Sequence, residues 1–455
     1  MTLSPFLKMM KTPIYDFLEA YREKEGSRLH MPGHKGKTFL GPEPFDITEI
    51  EGADVLYHAE GIIAESEANA THLFGSAHTF YSAEGSSLAI KAMLALVTAG
   101  KDKPLVLAGR NAHKAFLYAA AWLDFEILWL YPENTASISS CPLTAEEIEK
   151  AIDSADRKPA AVYLTSPDYL GGLADIEQIG KVCEEKNIPL LVDNAHGAYL
   201  AFCKENRHPI ALGATMCCDS AHKTLPVLTG GAYLHIGKNG RRYLPMARQM
   251  LSAFASTSPS YLILASLDLA NRYLADDYRE RLALTISALD DLKKRAEDFG
   301  FTVPASDPLR LTVHTSQSGI TGHRFAEILR RHQVEPEYVD GDYAVMMFTP
   351  ENDAVDYRRV LSALRVAARE RKDTPLSPAP LCPPLPTALP PRQALLSPME
   401  FVPVAESVGR IAAAPTVSCP PAIPIAVSGE VITAEAVALF KHHGMETVAV
   451  VWKAR

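Results

Sequence analysis

Seven cysteines occur in this chain, and no two of them form a C-x-x-C pair. Cys141, Cys183, Cys203, Cys217, Cys218, Cys382 and Cys419 are odd in number and scattered. That pattern excludes a disulfide scaffold at this size and fits a reducing compartment. Cys217 and Cys218 continue an apolar run and read as core. Long hydrophobic runs are missing too, since none approaches the roughly 18 apolar residues of a membrane span. The start, Pro5-Phe-Leu-Lys-Met-Met-Lys, is broken by charge and lacks a signal-peptide core. The expectation is a cytoplasmic protein without a membrane partner. Basic charge is scarce: 45 Lys and Arg stand against 54 Asp and Glu, a net of -9. This argues against nucleic acid as a partner. No internal repeat is present.

What is present is the composition of a globular enzyme, 47% hydrophobic and 22% charged over 455 residues. Helical spacing predicts helices over Ser86–Thr98, Lys114–Leu123, Thr144–Ser154 and Ile176–Lys186. The third opens on Thr144 with Glu147 three residues on, a capping-box pattern. Apolar runs at Pro104–Ala108, Glu126–Tyr131, Ala160–Thr165 and Pro189–Asp193 alternate with these helices and read as strands. Continuous apolar strands between helices predict a mostly parallel sheet covered on both faces, with ligands at the strands' carboxyl ends. A long helical stretch, Tyr261–Asp298, follows. The expected organisation is an arm at 1–70, a large α/β domain at 71–300 and a small α+β domain at 301–370. A Pro-rich linker at 371–392 and a C-terminal module at 393–455 complete it.

The chemistry-bearing segment is Asp219-Ser-Ala-His222-Lys223, set between apolar runs. A lysine in a loop is most often a solvated charge. Here a buried-strand pattern about thirty residues upstream ends in Asp193-Asn-Ala-His196. A lysine amine to hold an aldehyde carbon, and a strand-end acid to keep a pyridine nitrogen protonated, are what pyridoxal 5'-phosphate needs. The plainer reading of Asp193 is a strand-end cap. Gly85-Ser86-Ser87 opens the first predicted helix and offers N–H groups and hydroxyls to a phosphate, although such tripeptides are commonly just turns. His113, after the second predicted strand, is either a ring that stacks on the cofactor or a surface imidazole.

Taken in order, these segments resemble the bacterial ornithine/lysine/arginine decarboxylase family of fold-type-I pyridoxal phosphate enzymes. The likeness runs through His30-Met-Pro-Gly-His-Lys-Gly36, Phe74-Gly-Ser-Ala-His-Thr-Phe-Tyr-Ser, Arg110-Asn-Ala-His-Lys114, Thr165-Ser-Pro-Asp-Tyr169, Asp193-Asn-Ala-His-Gly197, Ser220-Ala-His-Lys223 and Ser256-Thr-Ser-Pro259. It implies that Lys223 binds the cofactor, Asp193 pairs with its ring nitrogen and His113 stacks over it. Ser86, Ser87, Ser220 and His222 would hold or flank the phosphate, and His196 would lie beside the ring. Thr257 would reach the cofactor of a neighbouring subunit. Lys223 or His222 would return a proton to Cα. The implied activity is decarboxylation of a cationic amino acid, arginine ahead of lysine and ornithine, leading to polyamines.

Large members of that family carry an N-terminal wing that builds decamers. This chain starts almost at the arm, so the resemblance implies the wing-less form, as a homodimer or higher homo-oligomer with shared active sites. Two departures stand out. The C-terminal loop reads Cys419-Pro-Pro-Ala422 where the family has Tyr-Pro-Pro-Gly, and Glu84 puts an acid beside the phosphate site. Glu430 is the candidate counter-charge for the substrate's cationic end; the alternative is an acid at the start of the helix predicted near Thr433. Two other functions stay open: a fold-type-I aminotransferase or lyase, for which Arg310, Arg324 or Arg330 would grip a carboxylate, and a non-enzymatic protein of the same fold.

Overall fold

The computed structural model describes residues 10–133, 137–377, 379–380, 383–417 and 423–453. The Cys419-Pro-Pro-Ala422 loop and Cys382 lie outside the described residues. In chain order the elements begin with α1 (Pro13–Glu23), α2 (Ile62–Phe74), β1 (His78–Ser82), α3 (Gly85–Thr98), β2 (Leu105–Gly109) and α4 (Lys114–Leu123). They continue with β3 (Glu126–Leu130), α5 (Ala145–Ser154), β4 (Ala161–Thr165), α6 (Ile176–Glu185), β5 (Leu190–Asp193), β6 (Met216–Asp219), the single turn α7 (Ala221–Thr224) and β7 (Ala232–Ile236). Next come α8 (Leu244–Phe254), α9 (Tyr261–Ala275), α10 (Tyr278–Asp298), β8 (Arg310–His314), α11 (Gly322–Arg331), β9 (Tyr338–Val339), β10 (Tyr343–Met347) and α12 (Ala354–Glu370). The last are α13 (Pro391–Leu395), β11 (Met399–Pro403), β12 (Thr416–Val417), β13 (Pro424–Ala426), α14 (Ala434–His442) and β14 (Thr447–Val451).

Seven strands form a sheet in the order β1-β7-β6-β5-β4-β2-β3. The pairs β2–β3 and β5–β6 are parallel, while β7 runs antiparallel to both its neighbours. The alternation of apolar strand and helix therefore produces the mostly parallel α/β fold that the pattern predicts. Local signals hold as well: Thr144 and Glu147 make the reciprocal capping box at α5. The helical stretch from Tyr261 to Asp298 is made of two helices, because the chain leaves helical geometry at Asp276, with φ -84° and ψ -121°. Asp277 then restarts it, its carbonyl accepting from Glu280 N and Arg281 N. Paired aspartates compete with the backbone for hydrogen bonds and favour helix ends over helix interiors.

The chain divides into two compact units: Met1–Lys101 with Ala160–Leu164 and Asp175–Arg281, and Asp102–Pro159 with Thr165–Ala174 and Leu282–Arg455. The first holds β1, β5, β6 and β7 and the buried faces of α3 and α9. In the second, β8, β10 and β9 make an antiparallel sheet. Leu311, Val313 and Met346 of that sheet pack on Phe325, Leu329 and Leu364 of α11 and α12. A separate core joins Ile425, Ile432, Phe440 and Val450 near the C-terminus. Among the described residues, no helix is long and apolar enough to cross a membrane.

Candidate active site

β5 and β6 lie side by side in parallel, so their carboxyl ends open at the same edge of the sheet. β5 ends on Asp193, which is buried. Its Oδ2 accepts from the Tyr163 hydroxyl at 3.1 Å, and its Oδ1 from Ala195 N at 3.2 Å and Cys218 Sγ at 3.6 Å. Burial, with the Asp193 charge beside it, pushes the Tyr163 hydroxyl far above its ordinary pKa, so it is held as a donor. β6 ends one residue before Ser220, and the turn α7 then presents Lys223. Lys223 Nζ lies 2.8 Å from Nε2 of His196, which is buried. An ammonium only donates, so His196 accepts at Nε2. The strand-end acid, the imidazole three residues on and the lysine of the next loop thus converge.

The start of α3 joins this group. Ser220 Oγ donates to Ser86 Oγ at 2.7 Å, across 134 residues of sequence. Gly85 has φ +72°, a conformation that a side chain would strain, and its N–H donates to Gly230 O at 2.7 Å. Ser86 and Ser87 then occupy the first turn of α3, where backbone N–H groups have no helical partner. Glu84 does not point a charge at that turn unchecked: its Oε1 takes Ser256 N at 2.6 Å. This fastens the neighbouring segment, in which Thr257 is exposed. His222 donates from Nδ1 to Gly231 O at 3.1 Å.

The remaining candidates lie in the second unit. His113 caps α4, its Nδ1 accepting from Ala115 N at 3.2 Å. Glu430 is 1% exposed and is not a helix cap: Thr433 caps α14, and Glu435 is the acid of its first turn. Glu430 Oε2 instead accepts from Val427 N at 2.8 Å and from Arg110 Nη2 at 3.2 Å. Burial raises its pKa, and Arg110 opposes that in part. Arg110 also donates to Pro424 O and Ile425 O, at 2.8 and 3.0 Å, and lies 5.2 Å over the Trp129 ring.

Three partners escaped sequence reasoning: Tyr163, Arg110, and the Asn194–Asp219 pair at the strand ends. A phenol inside the otherwise apolar Ala161-Val-Tyr-Leu-Thr165 was a usable signal for the first, because a buried hydroxyl needs a partner. Arg110 gave none, since its partners are 314 to 320 residues away. Chemically, the first unit offers a lysine amine, a buried carboxyl group and a hydroxyl-rich helix start.

The structure superposes on the lysine decarboxylase LdcF of Francisella novicida with a TM-score of 0.81 at 18% identity, covering 98% of this chain and 82% of that one. Lysine decarboxylase A of Pseudomonas aeruginosa gives 0.80 at 20% identity, covering 98% and 81%. In sequence, residues 12–299 match the family described as Orn/Lys/Arg decarboxylase, major domain, and residues 388–445 match its C-terminal domain. A curated relative, the arginine decarboxylase of Bacillus subtilis (strain 168), is 30% identical over 464 residues, spanning 95% of this chain and 94% of that protein. The chain belongs to the Orn/Lys/Arg decarboxylase family.

Proposed function

We propose that this chain removes the α-carboxyl group of a cationic amino acid as CO2, arginine ahead of lysine and ornithine, with pyridoxal 5'-phosphate as cofactor. The observation that carries the reading is the convergence of Lys223, His196 and Asp193 at the ends of β5 and β6. The donor set fits the cofactor: an amine for its aldehyde, a buried carboxylate for its ring nitrogen, and the start of α3 with Ser86, Ser87 and Ser220 for its phosphate. When bound, the cofactor supplies the electron sink for the pair that CO2 leaves behind.

Lys223 Nζ is the attachment point, and His196 takes a proton from it. Asp193, oriented by Tyr163 and Ala195 N, would accept from the protonated ring nitrogen of the cofactor. Lys223 or His222 returns a proton to Cα. His113 would stack on the cofactor ring, and Thr257 would serve the phosphate of a neighbouring subunit in a homodimer or higher homo-oligomer. Glu430 supports substrate binding by holding Arg110 and the Pro424–Glu430 segment. Arginine is favoured because relatives such as that of Bacillus subtilis bear the name arginine decarboxylase. The product would enter polyamine synthesis in the cytoplasm. The division into an arm at 1–70, domains at 71–300 and 301–370, a linker at 371–392 and a module at 393–455 accompanies this reading.

The aminotransferase alternative wants an arginine for an α-carboxylate. Arg310 is 1% exposed and pairs with Asp307 at 2.9 Å. Arg324 pairs with Glu370 and Glu327, and Arg330 with Glu335. Each is engaged within its own unit. Incubation with arginine, lysine and ornithine decides: CO2 with the matching amine supports the proposal, and a keto acid product sinks it.

A further inference from the structure

Behind Lys223 lies a fully buried polar network that the reaction does not use. Asp219, the last residue of β6, is 0% exposed, as are His208 and His235. Its Oδ2 lies 3.0 Å from Nε2 of both imidazoles, and its Oδ1 accepts from Asn194 Nδ2 at 2.7 Å. The protons can be assigned. Ile210 N–H, 3.4 Å from His208 Nδ1, can only donate, so the His208 proton sits on Nε2 and points at the carboxylate. His235 Nδ1 has the Thr79 hydroxyl at 2.8 Å, and Thr79 in turn has Ser76 Oγ at 2.8 Å. The Asp219 carboxylate thus receives three donors. Burial alone would raise its pKa, but the two imidazoles outweigh that and hold it low. Cys217 Sγ lies 4.0 Å from His208 Nε2.

Each end of this network is tied to the site. Asn194 directly follows Asp193, and its N–H donates to Cys218 O at 3.0 Å. Its side-chain oxygen occupies the place where a Cβ on residue 197 would sit, so position 197 must be Gly and the His196–Gly197 turn is pinned. Gly197 N donates to Asn194 O at 2.8 Å. His196 then meets Lys223, and Lys223 stands four residues after Asp219. The path closes on itself: Asp219, Asn194, the His196 turn, Lys223 and back along α7 to Asp219.

We infer that Asp219, clamped by His208 and His235 and gripping Asn194, is a positioning residue that sets the Lys223 amine and the Asp193 carboxylate at a fixed spacing for the cofactor. The inference rests on the reading of this site as one for pyridoxal 5'-phosphate. Without the clamp, β5 and β6 stay paired through their backbones, but the two loops that leave them lose their common anchor. Positioning of this kind acts on affinity for the cofactor and on its electronic state, not on the fold alone.

The experiment compares the wild type with Asp219→Asn, Asn194→Ala and, as a control, Ser66→Ala. Ser66 is buried in the same unit and bonds Asp268 and Tyr81, away from Lys223. Equilibrium binding of pyridoxal 5'-phosphate to cofactor-free protein, the pH midpoint of the bound cofactor's visible absorbance, and the melting temperature are measured. The expected result is a Kd raised about 10-fold or more and a shifted absorbance midpoint in Asp219→Asn and Asn194→Ala, with Ser66→Ala lowering only the melting temperature. Asn194→Ala keeps Asp219 with both imidazoles, so it carries the test should Asp219→Asn not fold. Unchanged Kd and midpoint in Asn194→Ala overturn the positioning role, whatever happens to the melting temperature. A wild type that binds no pyridoxal 5'-phosphate overturns the cofactor reading and this inference together.

Discussion

Asp193 and Glu430 are both buried carboxylates that sequence reasoning marked as functional, yet the structure treats them differently. Asp193 is held by a neutral phenol, a thiol and a backbone N–H, so its charge has no cation of its own among these contacts. Glu430 has Arg110 at 3.2 Å and the Val427 N–H. A carboxylate steadied by neutral donors meets no opposite charge in those contacts. One matched with a guanidinium has part of that charge balanced within the fold. Burial of the charge is common to both; the partner decides what the charge is for.

Removing the Lys223 amine should have the largest effect. Lys223→Ala is expected to abolish covalent cofactor attachment and nearly all turnover, because among the residues converging here it supplies the amine. A borohydride-reducible adduct that survives in the variant would place the attachment elsewhere. Asp193→Asn tests the first half of the comparison. An amide cannot hold a pyridine nitrogen protonated, so kcat should fall by about 100-fold or more while the cofactor stays bound. A rate within a few-fold of wild type would return Asp193 to the role of strand-end cap.

Glu430 tests the second half. Losing one partner of a buried ion pair costs about 3 kcal/mol or more, because the other charge is left uncompensated. Glu430→Ala should therefore lower the melting temperature markedly, with KM for arginine rising as Arg110 and its segment loosen. A KM rise at unchanged melting temperature would show that Glu430 meets substrate directly and that the pairing with Arg110 is incidental. The gentlest expected effect is on pH. Burial depresses the His235 pKa below its ordinary 6.5, with Asp219 partly opposing, and Asp219 itself is held low by the two imidazoles. Groups with depressed folded pKa values stabilise above their unfolded values and lose that stability as pH falls. Denaturant stability should thus decline below about pH 6.5, by up to about 1.4 kcal/mol per pH unit for each extra proton the unfolded chain takes up. His235→Gln should flatten that decline, and an equally steep profile in the variant would remove His235 from it.

Much of this was legible in the chain itself, for reasons of distance. The alternation of apolar strands and helices is a short-range pattern, and so is the Thr144–Glu147 cap, which the structure reproduces as a capping box. Asp193 and Lys223 were readable because parallel strands put their carboxyl ends on one edge. The break inside the Tyr261–Asp298 helical stretch is finer than its helical spacing shows: two adjacent aspartates end one helix and start the next.

The sequence by itself determined the fold class and placed Asp193 at the end of a buried strand and Lys223 in the loop after the next one, because both follow from periodicity and from residue type at strand ends. Only the tertiary structure decided which buried carboxylate meets neutral donors and which meets a guanidinium. The Glu430–Arg110 contact spans 320 residues and the Ser220–Ser86 contact 134. No local pattern encodes such pairs. They exist because folding desolvates each polar group and leaves it to find whatever partner the packed chain brings within hydrogen-bond reach.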